Sequence, residues 1–139
     1  METQPVYRRV LVKLSGEALG GTDGIFDNAR LEEICAQHKR MADLGTEVAV
    51  VIGAGNIWRG ARQAGLHIDR VRGDHMGMLA TVINSLAVQD YLLKAGLETE
   101  VLSAIPMAQV CGVYDQYKAD ALLRAGKAVI IACGVGYPY

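Results

Sequence analysis

Residues 50–60 read "VVIGAGNIWRG", an apolar, β-branched run that stops at two glycines one residue apart. A strand that ends in a glycine turn is a ready cradle for a phosphate, because backbone N–H groups in the turn can point at the anion. The stretch begins like the dinucleotide fingerprint G-x-G-x-x-G, but Trp58 stands where the third glycine would permit close helix–strand packing. A dinucleotide is therefore disfavoured. No G-x-x-x-x-G-K-[ST] phosphate loop occurs, and Lys13 precedes its glycine instead of following it. What remains is a turn at Gly53 and Gly55 able to hold an anion, with Arg59 placed for a charge-assisted contact. The plainer reading keeps both glycines for backbone geometry and leaves Arg59 solvated.

Two more glycine turns follow strand-like runs: "KLSGEALGG" from Lys13 and "GVGYPY" from Gly134. Strands are predicted at Arg9–Leu14, Glu47–Ile52 and 127–133, with another at Thr99–Ser103. "EVAVVI" and "KAVIIAC" run apolar without alternation, which assigns them to the middle of a parallel sheet covered on both faces. Helices are predicted between them: 29–44, capped by Asn28 and closed by Gly45; a longer one from an Asp74 cap to near Ala95, ended by Gly96; and 115–124, stopped by Gly126. This alternation predicts an α/β fold, a three-layer αβα sandwich with a mostly parallel central sheet, forming a single domain over residues 1–139. In such a sheet the carboxyl ends of the strands share one edge, so the three glycine turns would build one site.

The formal net charge of −1, from 14 basic and 15 acidic residues, gives no general attraction to nucleic acid or to an anionic membrane surface, so any anion must be held locally. No apolar run approaches the roughly 18 residues that a membrane span needs. The start "METQPVYRRV" lacks a basic segment followed by an apolar one, which predicts a cytoplasmic protein. Cys35, Cys111 and Cys133 are odd in number and widely spaced, and His38, His67 and His75 do not fall at metal-ligand spacing. The expectation is buried or partly buried thiols and no metal site made by protein ligands.

Lys13 lies in an otherwise apolar strand just before a glycine turn, where burying an ammonium is costly unless it faces a counter-charge. It either snorkels from a sheet edge or balances transferring phosphoryl oxygens. Asp74 reads as a helix N-cap, and it can also accept from a ribose hydroxyl only if one carboxylate oxygen stays free. The helix from Asp74 carries Met76, Met78, Leu79, Val82, Ile83, Leu86, Val88, Leu92 and Leu93 on more than one face. One face suits the sheet, and a subunit interface is the simplest use for the other.

Through "VLVKLSGEAL", "VVIGAGNIWRG", "GDHMGMLATVINSLA", "SAIPM" and "GVGYP", the chain resembles the N-terminal part of the bacterial UMP kinases (uridylate kinases) of the amino-acid kinase superfamily over almost its whole length. The resemblance implies a homohexamer built from dimers that transfers the γ-phosphoryl of ATP to UMP in pyrimidine nucleotide biosynthesis. It also implies Mg²⁺ held mainly by nucleotide phosphates, and no nucleic-acid or membrane partner. It places Lys13, Leu14, Ser15 and Gly16 in an ATP-phosphate segment, with Lys13 and Arg59 as catalytic charges. Gly53 and Ala54 match the turn around the UMP phosphate, and Gly55 and Arg59 the ATP side. Asp74 matches a UMP-binding aspartate, and Val135, Gly136, Tyr137, Pro138 and Tyr139 fall on the start of a UMP loop. Gly21, Thr22, Asp23, Gly24, Ile25 and Phe26 fall on a region tied to allosteric regulation by GTP, with UTP as a further effector. The family usually carries glycine at position 54 and G-T-G-N-P in the last loop, so Val135 and Tyr137 here remove a hydroxyl and an amide. The family's ATP-binding second part lies beyond residue 139, and this stretch alone is expected to be inactive. A catalytically silent nucleotide-binding or assembly subunit, and an amino-acid kinase acting on a carboxylate or carbamate, are the competing readings.

Overall fold

The computed structural model of the chain describes residues 3–60 and 65–137. Its strands are β1 (Arg9–Leu14), β2 (Glu47–Ile52), β3 (Thr99–Ser103), β4 (Gly112–Val113) and β5 (Ala128–Ala132). Its helices are α1 (Asn28–Asp43), α2 (Arg70–Lys94) and α3 (Gln116–Arg124), and a 3₁₀ turn spans Gly16–Leu19. The sheet order is β1-β2-β5-β3-β4, and every pairing is parallel. The chain steps in one direction from β1 through β3 to β4 and then returns to insert β5 between β2 and β3. Parallel crossovers keep one hand, so the reversal puts α3 on the face opposite α1 and α2. The result is the expected three-layer sandwich.

Two cores explain why β2 and β5 read as unbroken apolar runs. Val48, Val50, Ile52, Ile130 and Ala132 face the α1–α2 side, while Ala49, Val129 and Ile131 alternate toward α3. β1 lies at the sheet edge. Its Val10 and Leu14 join the larger core, but on the other face Leu11 is 65% exposed and Lys13 stands in water. Lys13 therefore stands at a sheet edge, where no counter-charge is needed to offset burial, since α3 packs over β5 and β2. Asp120 of α3 does reach β1 through Arg9, at 2.9 Å. Hydrogen bonding to Arg9 holds the Asp120 carboxyl below its usual range. This tie is present above the ordinary carboxylate range and is lost as pH falls through that lowered value.

Two caps differ from expectation. Asp27, not Asn28, caps α1: its backbone is extended and its carboxylate accepts from Arg30 N at 3.0 Å. Asn28, already helical, bonds instead to Glu32 and Tyr91. α2 begins four residues before Asp74, because Asp69 accepts from Arg72 N at 3.3 Å. Gly73 does not break the helix. Asp115, expected as the first residue of the third helix, is instead its cap, accepting from Lys118 N at 2.8 Å, while glycines 45, 96 and 126 close the helices as predicted, each with a left-handed φ.

By length and composition α2 passes for a membrane span, with a mean hydropathy of 1.2 over its most apolar window. In this fold it packs on α1, β2, β3 and β5. It also carries Asn84 and Ser85 on its buried side, as a helix of a layered core can when those groups find partners.

The three thiols are free, with Cys35 and Cys133 buried and Cys111 half-buried. Burial pushes the Cys35 thiol up to about 11 and also raises that of Cys111. Mass-resolved alkylation of the native protein at pH 8 should leave Cys35 and Cys133 unmodified and label Cys111 slowly, with all three reacting in denaturant. Rapid native labelling of Cys35 would contradict this packing.

Candidate phosphate-binding edge

The first two glycine turns touch. Gly53 N donates to Leu14 O at 2.8 Å, binding the end of β2 to the end of β1. Gly16 is buried where a Cβ would lie 2.6 Å from Gly53 O and from Asn56 Oδ1, and 2.8 Å from Gly55 N. Only glycine fits that approach. Ala54 O accepts from Ile57 N and Trp58 N, turning the chain tightly after β2. Among the described residues, no group accepts from the N–H of Ala54, Gly55 or Asn56. Three successive unpaired N–H groups at a strand end form an anion-binding concavity.

Arg59 is held beside this turn. Its Nε donates to Gly55 O at 3.0 Å and its guanidinium pairs with Glu17 at 2.8 Å, both side chains being more than half exposed. Two cavities open around it. One of about 500 Å³ is lined by Glu17, Gly20, Gly21, Thr22, Gly24, Arg30, Gly55, Asn56, Ile57 and Arg59. The other, about 410 Å³, is lined by Trp58, Arg59, Gly60, Leu66, Ile68, Asp69, Arg70, Gly73 and Asp74. Trp58 lies against α2 at Gly73 and Gly77, where a Cβ on Gly77 would meet its ring at 3.4 Å. The indole that stands in place of a third turn glycine thus packs on the glycines of "RGDHMG" at a distance a Cβ would also tolerate. Because Asp69 caps α2, the Asp74 carboxylate has no capping duty. It is half-buried, with Arg70 at 3.9 Å as its ion partner.

The third turn begins at Cys133, whose φ of 66° is left-handed, and whose N–H donates to Thr81 Oγ1 of α2 at 3.0 Å. Gly136 N closes the turn on Cys133 O at 2.9 Å, and Gly136 packs against Ala104 at the end of β3. Val135 and Tyr137 are 77% and 74% exposed, while Pro138 and Tyr139 lie outside the described residues. Of the sequence-predicted residues, the fold therefore brings Gly16, Gly53, Ala54, Gly55 and Arg59 together, with Asp74 across the second cavity. Lys13 lies one residue before the end of the neighbouring strand, with no ion-pair partner among the described residues. Lys13, Val135 and Tyr137 line neither cavity. Thr22, Asp23, Gly24 and Ile25 form an exposed loop whose Ile25 O accepts from Asn56 Nδ2 at 2.9 Å.

Glu17, Asn56, Thr81 and Asn84 were missed by sequence reasoning. The available signal was polar residues inside the apolar run "TVINSLA", which must find partners if they face inward.

The model of the amino acid kinase family matches residues 8–138. The chain belongs to the amino acid kinase family. Relatives in that family include proteins named uridylate kinase from Haemophilus influenzae, 44% identical over 99% of this chain, and from Aliivibrio fischeri, 49% identical over 98%. The chain spans 58% and 56% of the lengths of these two. The crystal structure of UMP kinase from Bacillus anthracis superposes with a TM-score of 0.90 at 41% identity, covering 96% of this chain and 55% of that one. UMP kinase from Ureaplasma parvum gives 0.89 at 32% identity, covering 96% and 58%. These likenesses fit the parallel three-layer architecture expected of an amino acid kinase.

The Gly16 contact gives a direct test of the joined turns. Gly16→Ala should destabilise the chain by about 1–3 kcal/mol, as overpacking against backbone does. Urea denaturation followed by circular dichroism measures this, and an unchanged midpoint would mean that the turns are not packed as described.

Proposed function

We propose that the protein containing this chain is a UMP kinase, transferring the γ-phosphoryl of ATP to UMP to give UDP. The observation that carries this reading is the row of unpaired N–H groups at Ala54, Gly55 and Asn56, set beside Arg59 and next to the strand that carries Lys13 one residue before its end. Phosphoryl transfer needs little covalent help from a protein, so positioned amides and cations suffice. In this reading Lys13, Leu14, Ser15 and Gly16 hold the ATP phosphates, with Lys13 balancing charge on the transferring group. Arg59 leaves Glu17 for a phosphate oxygen, an exchange its half-exposed ion pair permits at little cost. Gly53 and Ala54 hold the UMP phosphate, Asp74 accepts from the ribose, and Val135, Gly136, Tyr137, Pro138 and Tyr139 contribute to UMP binding.

Among the described residues no three His, Cys, Asp or Glu side chains gather as a metal cage. Mg²⁺ is proposed to be held mainly by the nucleotide's phosphates. Loop 21–26 is the proposed place of regulation by GTP or UTP, and the cytoplasm the proposed compartment. α2 supports self-assembly: Met76, Leu79, Ile83 and Leu93 stand exposed on its outer side, and a second copy, within a hexamer, is the occupant proposed for that stripe.

A coupled assay of the full-length protein with ATP and each nucleoside monophosphate should give turnover with UMP in clear preference. Absence of turnover, or of preference, would sink this reading in favour of a silent assembly subunit. Lys13→Ala should lower kcat about a hundredfold or more while moving KM for UMP far less, since its charge acts mainly in the transition state. An unchanged kcat would assign Lys13 to structure. Leu79→Glu together with Ile83→Glu should reduce the oligomer measured by sedimentation velocity, and no change would move the interface elsewhere.

A further inference from the structure

We infer that Asn84 and Asn56 are positioning residues: their mutual amide pair aims the 53–56 turn so that its N–H groups face a phosphate. The inference rests on the reading of that turn as phosphate-holding.

Asn84 is fully buried midway along α2. Its Nδ2 donates to Gly53 O at 2.8 Å and to Asn56 Oδ1 at 2.8 Å. Asn56 Nδ2 returns a bond to Asn84 Oδ1 at 3.1 Å and donates to Ile25 O at 2.9 Å. All four N–H donors of the two amides are used. Neither amide can be flipped, because Asn84 Oδ1 would then meet Gly53 O, and Asn56 Oδ1 would meet Ile25 O. Filling space does not explain this pair, since leucine has a similar volume and needs no partner.

The consequence lies in the backbone. A trans peptide is planar, with its C=O and N–H pointing opposite ways. Asn84 holds Gly53 O inward, toward α2. The N–H of Ala54 belongs to the same peptide unit, so it must point away from α2, toward the open edge of the sheet. Leu14 O fixes the N–H of Gly53, which belongs to the preceding peptide unit, so Gly53 is tied on both sides: to β1 through its N–H and to α2 through its C=O. Asn56 then anchors the far end of the turn to the same helix. Without the pair, the two glycines at 53 and 55 leave the turn free to rotate its peptide units. The preorganised row of donors would be lost, although every residue matched to a nucleotide remained in place.

The test uses the full-length protein with Asn84→Leu, the milder Asn56→Ala, and Ser85→Ala as a control. Ser85 is equally buried but donates only within its own helix, to Thr81 O. Thermal melts set a temperature at which all variants are folded. There, kcat with ATP and UMP should fall about tenfold or more in both Asn variants, with a smaller change in KM and no loss in Ser85→Ala. Asn variants that melt earlier but keep kcat would overturn the inference and leave the pair a packing device. If the parent protein shows no UMP kinase activity, calorimetric binding of inorganic pyrophosphate decides. Weaker binding in the Asn variants than in Ser85→Ala would support the positioning role, and equal binding would overturn it.

Discussion

Because all five strands run in the same direction, their carboxyl ends share one edge, and the chain must leave each strand from that edge before crossing a face of the sheet. Everything else in the candidate site follows from this constraint. The turns after β1 and β2 are neighbours because their strands are. β5, inserted between β2 and β3, brings its own turn next to the exit from β3, where Gly136 meets Ala104. Anion chemistry suits such an edge because the backbone itself supplies donors there, and charged side chains need only be added around it.

Helix α2 departs from the usual division of a surface helix into an apolar inner side and a polar outer side. Its inner side carries Gly73, Gly77, Thr81, Asn84 and Ser85, while Leu79 and Ile83 stand in water. The inner polar groups are tolerated because each finds a partner: Thr81 the N–H of Cys133, Asn84 the carbonyl of Gly53, and Ser85 the carbonyl of Thr81. Trp58 lies against the helix at Gly73 and Gly77. One helix thereby holds two of the three turns, and its outer side is left apolar.

Much of the architecture was legible because it depends on local rules. β2 and β5 read as central strands since both faces of each are covered, and the closing glycines of the helices announced themselves by position. Helix starts were less legible. Asp27 and Asn28 are adjacent and chemically alike, and Asp69 and Asp74 both precede apolar helical stretches, so residue type alone could not choose between them. The short strand β4 carried no signal at all, because two residues have no period.

The candidate site divides along the same line. Lys13, Gly53, Gly55, Arg59 and Asp74 were visible because glycine turns after apolar strands, and charges beside them, have a spacing that can be read along the chain. The exposure of Lys13, the freedom of Asp74 from capping, and the amide pair of Asn56 and Asn84 were decided only by tertiary structure. Each depends on which element lies alongside: an edge position for β1, an earlier cap for α2, and two asparagines 28 residues apart brought within hydrogen-bonding distance. Local sequence carries propensity and pattern, but partner choice between distant polar groups exists only once the layers have packed.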